Sequence, residues 1–139
     1  MVQPTATTTT PSTGRPEQDQ WAFVCEASDC RLRGSIQVRD ALAQAVQGDA
    51  DCARVAVVRT GCLSLCGAGP AVVTYPAGDV HLRVEAGDAL ELARRLASGE
   101  SLARRAVRAP QWYRERIKSR LGYLVQLLRE RVAGGISPG

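Results

Sequence analysis

The sequence predicts one small α/β domain with a mixed four-stranded sheet, flanking helices and two appendages. Strand-like apolar runs and helical repeats alternate through the middle of the 139-residue chain. They occur in the order β-α-β and then β-β-α, which predicts a right-handed parallel crossover followed by an antiparallel hairpin. Both ends differ from this middle in composition. We therefore expect an arm at 1–19, the domain at 20–108, and a basic helix with a short tail at 109–139.

The arm and the first half of the domain follow from local composition. Residues 1–19 are rich in Thr, Pro, Ser and Gly and have no apolar periodicity. They cannot bury enough surface to offset their ordering entropy, so we expect disorder there. A buried strand is then predicted at 21–25 and a second, rich in β-branched residues, at 53–60. The helix between them should be capped by Ser35 and end at Gly48.

The second half is predicted as a hairpin followed by a helix. Strands at 71–75 and 80–84 flank the turn sequence P-A-G-D. His81 should lie on the surface of the second of these strands. Asp88 is expected to be the N-cap of a helix that ends at Gly99.

A long helix is predicted from Gln111 to about Val132, with Pro110 at its start. Its apolar stripe repeats at spacings of three and four and comprises Tyr113, Ile117, Leu121, Leu124, Val125, Leu128 and Val132. Residues 101–139 hold nine basic and two acidic side chains, whereas residues 1–100 hold nine basic and twelve acidic ones. A mildly acidic domain therefore carries a strongly basic tail.

Three arrangements of this helix stay open. Its stripe could pack on the protein's own sheet or on a second copy. It could enter a groove of a partner enzyme with Trp112 and Tyr113 as anchors, or lie peripherally on an anionic membrane surface. No nucleic acid is expected, because the core offers no aromatic-lined basic groove.

Four cysteines occur as two pairs, each following a strand-like run. Cys25 and Cys30 form C-x4-C, and Cys62 and Cys66 form C-x3-C. A cluster of two irons and two sulfides needs two protein ligands for each iron, and it prefers thiolates. In a chain with one histidine, these four thiols predict an iron–sulfur ligand set.

Other sites fit these cysteines less well. Zinc stays open, although C-x3-C is unusual for it. A thiol–disulfide oxidoreductase would be expected to carry C-x2-C, which the sequence lacks, and a Rieske centre is excluded because it needs two histidines. Cys52 lies outside both pairs and is interpreted as a small, partly buried hydrophobic residue.

The surroundings of the cysteines also fit a cluster. Glycines at 61, 67 and 69 would let the backbone approach it closely and donate hydrogen bonds to sulfur. Arg31, Arg33 and Arg59 could offset part of its negative charge, or could belong to an ordinary solvated face.

The string G-C-L-S-L-C-G-A-G-P-A-V-V-T-Y-P at 61–76 resembles the thioredoxin-like [2Fe-2S] ferredoxins and the related 24-kDa subunit of respiratory complex I. The resemblance extends over about 23–107. It implies a thioredoxin-like fold, one-electron transfer, redox enzymes as donor and acceptor, and often a homodimer. It also implies that Cys25 and Cys30 hold one iron of a [2Fe-2S] cluster and that Cys62 and Cys66 hold the other.

The functional hypothesis is a [2Fe-2S] ferredoxin, an electron carrier rather than an enzyme. Two alternatives stay open: a fixed electron-transfer subunit of a multi-subunit oxidoreductase of the NADH dehydrogenase, hydrogenase or formate dehydrogenase type, and a regulatory module that binds zinc or a cluster. The N-terminus lacks the features of a secretory signal and no apolar run reaches 18 residues. A cytoplasmic location is therefore expected, and there cysteine pairs more often bind metal than form disulfides.

Overall fold

A computed structural model of the chain describes residues 18–27, 30, 32–61, 63 and 69–133. In chain order the elements are β1 (Gln20–Cys25), α1 (Ser35–Gly48), β2 (Val55–Thr60), β3 (Val72–Tyr75), β4 (Val80–His81), α2 (Ala89–Ala97), β5 (Ala106–Val107) and α3 (Gln111–Ala133). Short 3₁₀ helices precede β2 at Ala50–Cys52 and α2 at Ala86–Asp88. Of the predicted arm at 1–19, residues 1–17 lie outside the described residues, and Gln18 is buried.

The strands form a mixed sheet in the order β2-β1-β3-β4-β5. β1 pairs with β2 in parallel, and every other pair is antiparallel. This arrangement confirms the predicted mixed α/β fold. The predicted strand number was wrong by one, since the described residues form five strands.

The fifth strand was not predicted, because it is defined only by its pairing with β4. β5 contains two residues, which pair with Val80 and His81 of β4. A segment of that length cannot show the alternation that marks a strand in sequence. β4 is also shorter than predicted: Arg83 has a φ of 54°, in the left-handed region, and the chain leaves the sheet there.

One face of the sheet is covered by α1 and α2. Side chains at alternate positions of β1 point to this face, as the period of a strand requires. They pack with the apolar sides of the two helices in a continuous cluster. Its main members are Ala22, Val24, Val55, Val57, Val72, Val38, Leu42, Leu92 and Leu96.

The opposite face is covered by α3, so the helix packs on its own sheet. The remaining positions of β1 are buried and meet the predicted stripe of α3. The stripe is buried at 113, 117, 121 and 125 and partly buried at 124 and 128, but Val132, which was also predicted to belong to it, is 41% exposed because it lies near the end of the helix. The cluster includes Trp21, Phe23, Cys25, Val58, Val73, Val80, Tyr113, Ile117, Leu121 and Val125. No helix in the described part of the chain is long and apolar enough to cross a membrane.

The predicted cap of α1 differs from the structure, whereas Asp88 stands at the N-cap position of α2 as predicted. Gly34 occupies the cap position of α1 with a φ of 100°, and Ser35 is the first residue of the helix. Asp88 precedes α2 as predicted, but its side chain does not cap that helix. It accepts hydrogen bonds from the Glu85 backbone N–H at 2.8 Å and from Arg104 and Arg105 at 2.7 and 2.9 Å. These bonds fasten the segment after α2 to its beginning.

His81 was wrongly predicted to lie on a strand surface. It is fully buried, and its Nε2 accepts a hydrogen bond from the Leu102 backbone N–H at 3.0 Å. The segment that carries Leu102 and β5 folds over β4 and excludes water from the imidazole. Acceptance at Nε2 requires a neutral ring, and burial lowers the pKa of His81 from its ordinary value of 6.5.

The buried His81 predicts a pH-dependent stability. Because its pKa is lowered in the folded protein, the unfolded chain takes up a proton first as the pH falls below 6.5. The contribution of neutral His81 to the stability of the folded protein is therefore complete above pH 6.5. It is lost as the pH falls toward the pKa of His81 in the folded protein. For the uptake of one proton, the free energy of unfolding changes by at most about 1.4 kcal/mol per pH unit.

We expect the free energy of unfolding to fall between pH 7.5 and pH 5.5, and to fall less in His81→Gln, whose side-chain oxygen can still accept from Leu102. Guanidinium unfolding followed by tryptophan fluorescence measures both. If the free energy of unfolding changed equally with pH in the two proteins, His81 would not be the source of the pH dependence.

Candidate metal centre

The two cysteine pairs start from the same edge of the sheet. Cys25 is the last residue of β1 and stands opposite Thr60, the last residue of β2. Because these strands are parallel, both chains leave the sheet on the same side. Cys62 follows Thr60 by two positions in the sequence. The topology therefore brings the beginnings of both cysteine loops together.

Cys25 and Cys30 are buried together. Each is 1% exposed, and both belong to the cluster beneath α3. Cys25 is a free thiol. The Cys25 N–H donates to the Ala71 carbonyl at 3.0 Å, and the next N–H, from Glu26, donates to Thr60 at 2.8 Å. These bonds tie the first loop to the ends of β2 and β3.

Gly69 is packed directly against Cys30. A Cβ at this position would lie 2.5 Å from the Cys30 sulfur and 3.3 Å from its Cβ, so only glycine fits. This contact joins the segment after the second cysteine pair to Cys30 of the first pair. At Gly61 a Cβ would meet nothing within 4 Å, so packing gives no reason for glycine there. Gly67 lies outside the described residues.

Cys62 and Cys66 also lie outside the described residues, so the ligand set stays a prediction. Leu63, directly after Cys62, is described and is 1% exposed. Its carbonyl accepts a hydrogen bond from the Tyr113 hydroxyl at 2.6 Å. Within the ranges that the structure describes, no three His, Cys, Asp or Glu side chains form a metal site.

The donors present fit a [2Fe-2S] cluster in their chemistry. The Cys25 and Cys30 side chains lie in an apolar cluster, at the edge of the sheet from which the second cysteine loop departs. Burial in apolar surroundings suits soft sulfur ligands and limits solvent access to a metal centre.

Cys52 lies on the other side of the sheet. It is fully buried in the cluster beneath α1 and α2, whereas Cys25 and Cys30 lie beneath α3. Burial, with a smaller effect of the nearby Asp49 carboxylate, raises the pKa of its thiol. The structure therefore gives Cys52 a packing role.

A buried ion pair beside the first loop was missed. Arg39 of α1 bonds to Glu26, the residue after Cys25, and to Asp40 at 3.1 Å. The Arg39 and Glu26 side chains are 6% and 13% exposed. Arg39 lies three residues before Leu42 on the buried side of the helix, so the helical period could have identified it. Arg33 and Arg59 are exposed, and Arg31 lies outside the described residues.

Comparison with protein-family models and with curated proteins finds no match. Among solved structures, the wild-type thioredoxin-like [2Fe-2S] ferredoxin from Aquifex aeolicus matches with a TM-score of 0.61 and 27% identity, over 66% of this chain and 99% of that chain. A variant of it with one cysteine replaced by serine gives 0.60 and 28%, over 65% and 99%. Another structure of such a ferredoxin from A. aeolicus gives 0.62 and 28%, over 67% and 96%.

These matches span nearly the whole length of the ferredoxins, and they confirm the resemblance predicted from the cysteine motif. In fold and in sequence, this chain is similar to the thioredoxin-like [2Fe-2S] ferredoxins.

Proposed function

We propose that this protein is a one-electron carrier whose [2Fe-2S] cluster is held by Cys25, Cys30, Cys62 and Cys66. The observation that carries the proposal is the burial of Cys25 and Cys30, with Cys30 packed against Gly69, at the edge of the sheet where the second cysteine loop begins. The similarity to [2Fe-2S] ferredoxins supports the same assignment. When bound, the cluster would accept and release single electrons.

The chain's own residues would hold and shield the cluster. The first pair would ligate one iron and the second pair the other. The apolar cluster beneath α3 would exclude water from Cys25 and Cys30, and the Arg39–Glu26 pair would anchor the first loop to α1. These are the tasks of an electron-transfer protein, which presents a cofactor and catalyses no reaction of its own. Free thiols at 25 and 52 suit a reducing, cytoplasmic compartment.

Anaerobic purification tests the proposal. We expect a coloured protein with about two iron and two acid-labile sulfide per chain, whose visible absorption bleaches on reduction with dithionite. A colourless protein with stoichiometric zinc would overturn the electron-carrier proposal and favour the zinc-bound regulatory alternative.

The exposed side of α3 suits a redox partner with an acidic surface. Residues 108–120 carry five basic side chains against Glu115, whereas residues 121–133 carry two against Glu130. The Tyr113 bond to Leu63 brings the more basic half close to the second cysteine loop. Trp112 is 64% exposed there, with the Arg116 guanidinium 6.0 Å from its ring. Positive charge near the cluster would steer an acidic partner to it.

Small charged oxidants can measure this local field. In Arg114→Glu we expect oxidation of the reduced protein by anionic ferricyanide to slow about 3- to 10-fold at low ionic strength. Oxidation by cationic hexaamminecobalt(III) should accelerate. The matched control is Arg131→Glu, which reverses an exposed charge near the far end of the same helix. Equal effects of the two substitutions would show that the basic half of α3 does not control access to the cluster.

A further inference from the structure

The C-terminal helix contacts the second cysteine loop through a hydrogen bond. The Tyr113 hydroxyl donates to the Leu63 carbonyl at 2.6 Å across 50 positions of sequence. Both residues are buried, with exposures of 8% and 1%. The bond joins the first turn of α3 to the residue that directly follows Cys62.

The tyrosine differs from the rest of the buried stripe. Ile117, Leu121 and Val125 are aliphatic and contribute only apolar surface. Tyr113 adds a hydroxyl at the end of the stripe nearest the cysteine loop, where it meets a backbone carbonyl. A buried carbonyl that loses its donor bears a desolvation penalty. The bond therefore favours one orientation of the peptide group that follows Leu63.

We propose that Tyr113 is a positioning residue for the second cysteine loop, which makes α3 part of the cluster site. This inference rests on the proposed function, because it assigns the loop of Cys62 and Cys66 to cluster binding. Leu63 is the immediate neighbour of one proposed ligand and lies three positions before the other. Holding its peptide group limits the movement of both ligands away from the iron, and so slows loss of the cluster.

Tyr113→Phe removes only the hydroxyl and keeps the ring that packs beneath the helix. We expect the holoprotein variant to lose its cluster to an iron chelator about tenfold faster than the wild type, as the loss of one buried hydrogen bond would produce. Its reduction potential should also shift. Tyr123→Phe is the matched control, because Tyr123 is on the same helix but 63% exposed. Cluster loss from Tyr113→Phe at the rate of Tyr123→Phe would overturn the proposal.

Hydrogen exchange on the apoprotein separates this inference from the proposed function. We expect Tyr113→Phe to lose amide protection at 61–69 while β1 stays as protected as in the wild type. That result supports the positioning role even if no variant binds a cluster, in which case the proposed function alone fails. Unchanged protection at 61–69, or a loss spread evenly over the chain, would overturn the positioning role even if the wild type carries the cluster.

Discussion

Replacing Cys62 with Ser is expected to abolish the visible absorption of the cluster or to perturb it severely. Serine supplies a hard oxygen that rarely ionises, whereas iron–sulfur clusters prefer soft thiolates. Iron and sulfide content, the visible spectrum and the electron paramagnetic resonance signal of the reduced protein would measure the effect. The polypeptide should stay folded, because the substitution leaves the buried Leu63 and Gly69 of this loop unchanged, and circular dichroism would verify it.

The matched control for this prediction is Cys52→Ala. Cys52 is fully buried on the opposite side of the sheet, in a hydrophobic cluster that contains neither Cys25 nor Cys30. The substitution should cost about 1 kcal/mol through a small cavity and leave the spectrum unchanged. Wild-type spectra from both variants would refute the ligand assignment, and loss of the cluster in Cys52→Ala alone would make Cys52 a ligand.

Gly69→Ala is expected to damage the site by crowding. The added methyl carbon would lie 2.5 Å from the Cys30 sulfur, and the Cys30 Cβ and Cα, at 3.3 and 3.4 Å, leave little room for the sulfur to swing away. We expect a loss of about 1–3 kcal/mol in the free energy of unfolding, which overpacking commonly causes. We also expect poor cluster incorporation, because the displaced sulfur is a proposed ligand.

Gly61→Ala tests whether crowding is the cause. Gly61 lies on the same loop, but a Cβ there would meet nothing within 4 Å, and neither glycine has a positive φ. This variant should unfold within about 0.5 kcal/mol of the wild type and bind the cluster normally. Chemical unfolding and iron content measure both variants. Similar losses in the two would indicate that the loop needs glycine for a reason other than the Cys30 contact.

The strand pattern predicted that the first cysteine loop and the start of the second lie at the same edge of the sheet. The parallel pairing of β1 and β2 could be predicted because a helical repeat separates two apolar runs. Strands joined by such a helical crossover are parallel, so both of their carboxyl ends lie at one edge of the sheet. The close approach at Gly69 was likewise predictable, because a glycine near metal ligands commonly marks backbone packing. The ligand roles of Cys62 and Cys66 still await experiment.

By itself the sequence determined the elements whose own residues show an apolar run, an alternation or a helical repeat: β1, β2, the hairpin, α1 and the stripe of α3. Tertiary structure alone decided the burial of His81, the pairing of β5 and the bond from Tyr113 to Leu63. Each of these three depends on groups far apart in the chain, and local periodicity reports only which face of an element is apolar. It does not report which distant backbone group a polar side chain meets once that face is covered.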